Sequence, residues 1–200
     1  MKTVFLHGLG QLPRAWDAVL QQVALSEAVC PPLFSLPQQQ LTYGQVLADF
    51  EKRCAGETEP FCICGLSLGA VLALDYTIRH GDKVGALVLI GAQYKVPCRL
   101  VDFQNLLFRC MPNRAFAGMG ISKKAVIGLT RSMRSLDLSG GLQAVTCPVD
   151  ILCGENDRAN LKAARQMAAY LPQAKLHIVP GAGHALNECA PGAIAAVLRK

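Results

Sequence analysis

No uninterrupted apolar run in this 200-residue chain reaches the roughly 18 residues that a membrane span requires, so none is expected. Aromatic residues make up only 6% of the chain and no nucleic-acid recognition motif is present, which argues against a nucleic-acid partner. Paired CxxC elements are also missing. The nine cysteines are odd in number, and Cys62, Cys64 and Cys153 fall in apolar runs where cysteine behaves as a small hydrophobe. Cys62 and Cys64 are two apart on a predicted strand and so share one face, a spacing that core packing explains without a metal. Free thiols fit a reducing compartment. Met1 to His7 holds too short an apolar stretch for a signal peptide, and its removal would delete the first strand, so a cytoplasmic location is expected. Acidic residues are scarce in one stretch. Between 95 and 134 only Asp102 stands against eight bases, Lys95, Arg99, Arg109, Arg114, Lys123, Lys124, Arg131 and Arg134, a net +7; the whole chain is +6, which leaves −1 elsewhere.

What is present is an ordinary globular composition, 52% apolar with 18 glycines and 11 prolines, in a length that suits one domain, 1–200. Short apolar runs alternate with helix-like stretches. Strands are expected at 3–6, near 32–35, and at 61–64, 84–90, 149–153 and 175–179. Helices are expected at 16–25, 43–54, 68–80, 160–170 and 187–198. Alternation at this spacing implies a parallel sheet with helices on both faces. The segment from about 93 to 141 breaks the alternation and holds two further helix-like stretches, 100–110 and 123–135. Its apolar residues, Phe103, Leu106, Leu107, Phe108, Met111, Phe116, Met119, Val126, Ile127, Leu129 and Met133, are expected mostly to form its own core. The positive charge there reads as a solvated face or a partner surface, or else as an attraction for an anionic substrate such as a carboxylate, phosphate ester or coenzyme A thioester.

Chemistry is concentrated in Gly65-Leu66-Ser67-Leu68-Gly69, at the junction of a predicted strand and a predicted helix. A serine with glycines two residues either side on such a turn is held in a strained conformation with its hydroxyl lifted clear of the sheet. Downstream, one strand runs into Gly154-Glu155-Asn156-Asp157 and another into Pro180-Gly181-Ala182-Gly183-His184. Upstream, the first strand runs into His7-Gly8-Leu9-Gly10, whose amides can turn toward a developing oxyanion.

These four motifs, in this order, resemble the α/β-hydrolase superfamily: His7-Gly8 its oxyanion loop, Gly65 to Gly69 its nucleophile elbow, Gly154 to Asp157 its acid loop and Gly183-His184 its base. The resemblance implies an α/β-hydrolase fold with a minimal sheet of about six strands and a small helical lid at 93–141. It also implies a triad of Ser67, Asp157 and His184, with the backbone N–H groups of Leu9 and Leu68 as the oxyanion hole. The expected activity is hydrolysis of a small carboxylic ester or thioester, with no metal or organic cofactor required. Lyase or carbon–carbon bond and enol-lactone hydrolysis, and ligand binding without turnover, are the alternatives. Glu155 competes for the acid's place; the resemblance assigns it to Asp157, three residues after Gly154. His7 is expected to brace the oxyanion loop, His177 lies within a strand, His80 ends a helix, and Cys189 is expected to pack in a helix. The sequence departs from the superfamily at residues 34–40, where Phe34-Ser35-Leu36-Pro37-Gln38-Gln39-Gln40 stands in place of an acidic, glycine-rich segment, so the resemblance does not carry over the shape of that side of the pocket.

Overall fold

Six strands, all parallel, form one sheet in a computed structural model that describes residues 1–35 and 41–199. They are β1 (Lys2–Leu6), β2 (Glu27–Val29), β3 (Phe61–Leu66), β4 (Val84–Ile90), β5 (Val149–Gly154) and β6 (Ala174–Val179), in the order β2-β1-β3-β4-β5-β6. Side chains alternate between two cores, one on each face of the sheet. Phe5, Cys62, Cys64, Leu66, Val88 and Ile90 enter one; Val4, Leu6, Ile63, Leu87, Leu89 and Ile151 enter the other. Cys62 and Cys64 thus share a face as packing residues, and burial pushes the Cys62 thiol up to about 12, which leaves it unreactive.

The helices are α1 (Asp17–Leu20), α2 (Tyr43–Cys54), α3 (Leu68–Arg79), α4 (Cys98–Cys110), α5 (Lys123–Ser132), α6 (Arg158–Tyr170), α7 (Leu186–Cys189) and α8 (Pro191–Leu198). Helix α2 starts where Thr42 and Gln45 form a capping box, the Thr42 N–H donating to Gln45 Oε1 at 2.9 Å and the Gln45 N–H to Thr42 Oγ1 at 3.3 Å.

Three expectations need correction. The second strand is Glu27–Val29, not 32–35, because Pro31 and Pro32 lack the N–H groups a ladder needs. The helix expected at 16–25 is a 3-10 turn, Pro13–Trp16, followed by the single turn of α1. Trp16 and Val19 are buried, but Gln21, Gln22 and Ala24 are exposed, so no apolar face carries the helix further. The closing helix is split into α7 and α8, since Pro191 cannot continue a helix from Ala190. The part of the glutamine-rich departure that spans 36–40 lies outside the described residues.

Between β4 and β5 the chain leaves the sheet to form α4 and α5. They pack together through Thr130, whose hydroxyl lies 2.6 Å from Asn105 Oδ1, while Phe108 makes an edge-on contact at 5.8 Å with Phe116 of the 3-10 turn between them, Asn113–Phe116. Phe116, Val126 and Leu129 are buried as expected. Phe103, Leu106 and Leu107 are not: they face solvent, because the inner face of α4 is already occupied by Val101, Asn105 and Phe108.

Candidate active site

The junction of β3 and α3 is shaped by contacts between backbones. Ser67 has φ 54° and ψ −114°, the one positive φ outside glycine among the described residues. Its N–H donates to Ile90 O at 2.8 Å, extending the pairing of β3 with β4, while its carbonyl accepts from Ala70 N and Val71 N at 3.0 Å each. Strand and helix therefore meet at a single residue. A Cβ on Gly65 would fall on the Gly69 carbonyl and lie 2.7 Å from Ala70 Cα; one on Gly69 would fall on the Leu6 carbonyl. Both glycines exist because another backbone occupies the space a side chain would take. Leu68 opens α3, so its N–H is among the amides that have no carbonyl one turn behind.

The loop after β1 is braced from inside. His7 is buried and accepts the Leu33 N–H at Nε2, 3.3 Å, so Nδ1 carries the proton and donates to Gly8 O at 2.9 Å. Burial lowers its pKa, overcoming the hydrogen bond to Gly8, and keeps the ring neutral. Gly8 N–H donates to Gln11 Oε1 at 3.1 Å, and Gln11 is tied in turn to Glu188 at 2.7 Å and Asn187 at 3.2 Å. Leu9, between these anchors, borders the same cavity as Ser67 and Leu68.

The carboxyl ends of β5 and β6 bring in the other two candidate residues. Asp157 Oδ2 lies 2.7 Å from His184 Nδ1. The aspartate side chain is 5% exposed and the histidine 44%, so the acid is sheltered and the far edge of the imidazole is open to the cavity. Burial alone would raise the Asp157 carboxyl; hydrogen bonds from His184 and Asn160 outweigh it and hold the carboxyl below its ordinary value. The two loops press together where a Cβ on Gly154 would strike the carbonyls of Ala182 and Gly183. Glu155 points elsewhere, accepting the Gly181 N–H at 2.8 Å. His80 pairs with Glu51 at 3.1 Å and His177 with Asp150 at 2.6 Å, both outside the cavity, and Cys189 is exposed at the end of α7 instead of packed.

Two residues that sequence reasoning missed complete the arrangement. Asn160 Nδ2 lies 2.9 Å from each Asp157 oxygen and 3.1 Å from His184 Nδ1, and its Oδ1 accepts from Gln93 Nε2 at 2.8 Å. Its signal was an amide one helical turn after the candidate acid. Gly91, with φ +55°, ends β4 between the elbow and the acid loop; a Cβ there would sit 2.9 Å from His184 Nδ1 and 3.3 Å from Asp157 Oδ2. A glycine closing an apolar strand marks such a close approach.

Ser67, Asp157 and His184 line one cavity of about 610 Å³. Its far wall is Val101, Gln104 and Phe108 from α4, Val126, Leu129 and Thr130 from α5, and Met133. Asp157 is the carboxylate of this lining, paired with His184; none of the eight bases between 95 and 134 is in it. Among the described residues no group of three or more His, Cys, Asp or Glu side chains is arranged to hold a metal ion, and no helix is long and apolar enough to cross a membrane.

A family model described as "Alpha/beta hydrolase family" matches residues 3–197. Among curated proteins, the chain is 32% identical over 103 residues to a pimeloyl-[acyl-carrier protein] methyl ester esterase of Aromatoleum aromaticum; that match covers 51% of this chain and 40% of the relative, so the chain is matched to less than half of that protein. Among solved structures, the enol-lactonase from Burkholderia xenovorans LB400 superposes with a TM-score of 0.85 at 15% identity, over 98% of this chain and 88% of the other. An esterase from Exiguobacterium antarcticum gives 0.82 at 16% identity, over 99% and 90%. At such identities these two likenesses concern the fold.

Proposed function

Because the chain belongs to the alpha/beta hydrolase family, we propose that it is a serine hydrolase that cleaves a carboxylic ester or thioester with an uncharged acyl group. The observation that carries this reading is the strained Ser67 sharing one apolar cavity with an Asp157–His184 pair at 2.7 Å. In the first step Ser67 Oγ attacks the carbonyl carbon while its proton passes to His184 Nε2. That nitrogen is the available one, since Nδ1 faces Asp157. Asp157 stays ionised, fixes the tautomer and stabilises the imidazolium. The N–H groups of Leu9 and Leu68 receive the negative charge that develops on the carbonyl oxygen. The carbonyl then re-forms, the ester or thioester bond breaks and His184 returns the proton to the leaving group. A water repeats the sequence on the acyl-enzyme and frees Ser67. No metal or organic cofactor takes part.

The cavity lies within the range of about 300–1,000 Å³ common for small-molecule sites. We read the chain as one domain in which α4 and α5 act as the lid, their inner faces selecting the acyl group. The name of the curated relative, an esterase acting on a carrier-bound methyl ester, supports ester chemistry over the lyase alternative. The nine free thiols support a cytoplasmic setting.

The test is labelling with a fluorophosphonate, followed by turnover of nitrophenyl esters and acyl thioesters of graded length. Stoichiometric labelling at Ser67, lost in Ser67→Ala, together with release of acid from at least one series, is the expected result. A chain that is folded and unlabelled is a binding protein. Labelling without turnover of any ester or thioester moves the reading to the lyase or carbon–carbon chemistry.

A further inference from the structure

The helices that wall the cavity have a second face. On α4, Val101, Gln104 and Phe108 point into the cavity and Asn105 points at α5. The opposite side carries Phe103, Leu106 and Leu107, which are 59%, 57% and 48% exposed, followed by exposed Cys110. Their spacing of i, i+3, i+4 and i+7 makes one continuous stripe along the helix. Six large hydrophobic residues are exposed among the described ones, and three of them stand on this stripe, so it is a patch and not scatter.

The charge around the stripe is predominantly positive. Arg99 lies one turn before Phe103 on the same face, and Arg109 flanks it. On α5 the cavity side is Val126, Leu129 and Thr130, and the outward side carries exposed Lys124 and Arg131. Arg99, Arg109, Arg114, Lys124 and Arg131 enter no ion pair among the described residues, whereas the one nearby acid, Asp102, is already held by Arg134 at 2.9 Å. The bases are also absent from the cavity lining, which leaves their charge outside it.

We infer that the outward face of α4 and α5 docks on an anionic lipid surface, with Phe103, Leu106 and Leu107 entering the apolar boundary and the flanking bases meeting the headgroups. A convex helix ridge with bulky apolar residues along its crest and cations at its sides has the chemistry of an interfacial helix. An anionic bilayer supplies both complements at once, and being deformable it needs no groove to receive the ridge. Docking holds the acyl cavity, which lies on the inner side of the same two helices, against a reservoir of amphiphilic molecules. Binding to the surface does not depend on Ser67 and is measured apart from turnover.

The experiment is flotation of the full chain with vesicles of equimolar phosphatidylglycerol and phosphatidylcholine, and with vesicles of phosphatidylcholine alone. Wild type is compared with Phe103→Ser/Leu107→Gln, with Arg99→Glu/Lys124→Glu/Arg131→Glu and with Ser67→Ala. Each variant is checked for an unchanged melting temperature and, except for Ser67→Ala, an unchanged rate on a short soluble nitrophenyl ester. Wild type and Ser67→Ala are expected to float with the anionic vesicles only, and raised salt should release them. Each of the two surface variants is expected to bind about tenfold more weakly or worse. Equal binding to both vesicle types, or undiminished binding by either surface variant, overturns the inference. Absence of binding overturns it too, including the case in which the stripe instead pairs two copies of the chain or captures an acidic protein. A chain that floats as expected but is not labelled by a fluorophosphonate fails as a hydrolase while the docking surface stands.

Discussion

Ser67 and Thr130 face the same cavity from opposite walls, and they are held there by different means. Around Ser67 the constraints are backbone against backbone: Gly65 against Gly69, Gly69 against the Leu6 carbonyl, and the Ser67 amide bonded to Ile90. Thr130 is positioned by side chains, its hydroxyl within reach of Asn105 Oδ1 at 2.6 Å and of the Val126 carbonyl at 2.8 Å. The first wall cannot change without the sheet changing. The second can be re-lined one residue at a time. On the proposed function the reacting atoms are therefore tied to the conservative half of the molecule and acyl selection to the adjustable half.

The sharpest break in this contrast is expected from Ser67→Ala, which should lower kcat/KM by about 10⁴-fold or more while leaving the melting temperature unchanged or slightly higher. Residual activity of a tenth would remove Ser67 from the mechanism. Next in size is Gly65→Ala. The added methyl must displace the backbone of α3, and a cost above about 4 kcal/mol, seen as failure to fold or a collapse in the denaturant midpoint, is expected. Gly118→Ala, in the segment between α4 and α5 and with open space at the Cβ position, should change stability by no more than about 0.5 kcal/mol. Equal effects of the two glycine substitutions would erase the distinction between the walls.

Asn160→Ala removes the amide from Asp157. Hydrogen bonds to charged groups contribute about 1.5–3 kcal/mol, so kcat should fall about 10- to 100-fold with KM little changed. Thr130→Val leaves Asn105 without its donor at a cost of about 1–2 kcal/mol of stability, and here KM should move and kcat stay. A Thr130→Val enzyme that loses kcat at constant KM would place the roof in the chemistry.

The smallest effect concerns pH. Burial lowers the pKa of His7, so below the ordinary value of 6.5 the unfolded chain binds a proton that the folded chain refuses. Stability contributed by the neutral ring is complete above 6.5, declines as pH falls below it, and stops declining once the folded pKa is passed. Asp157 acts in a lower window: its contribution is complete above 3.8 and is lost as pH falls through its lowered folded value. Urea midpoints should therefore fall between pH 6.5 and 5 in wild type and fall less in His7→Gln. Equal slopes would mean that His7 is not the buried neutral group its contacts describe.

Much of the framework was readable because apolar runs bounded by glycine have few ways to fold. Strands β3 to β6, α2, and the gathering of Ser67, Asp157 and His184 at strand ends followed from runs and motifs. The misplaced β2 and the split closing helix came from reading apolar content past Pro31, Pro32 and Pro191, whose missing N–H groups set the boundaries. Asn160 and Gly91 left only faint local signals, an amide one turn after Asp157 and a glycine after an apolar strand. The contact of each with His184 arises only when the register of β4, β5 and β6 brings separate loops alongside, and spacing within one segment carries no trace of that. The outward set of Phe103, Leu106 and Leu107 had a helical period, but period alone does not tell which of two faces finds a partner.

The bond from the Ser67 amide to Ile90 O lies inside the pairing of two central strands. An amide in that position exchanges its hydrogen with solvent only when β3 and β4 separate, whereas those of α4 and α5 are released by opening of the helical segment alone. On warming, protection should disappear from α4 and α5 first and from Ser67 last. There is then an interval of temperature in which the molecule has shed its ceiling and kept its nucleophile. In that interval it should become less choosy before it becomes inactive, accepting acyl groups that the closed cavity turns away.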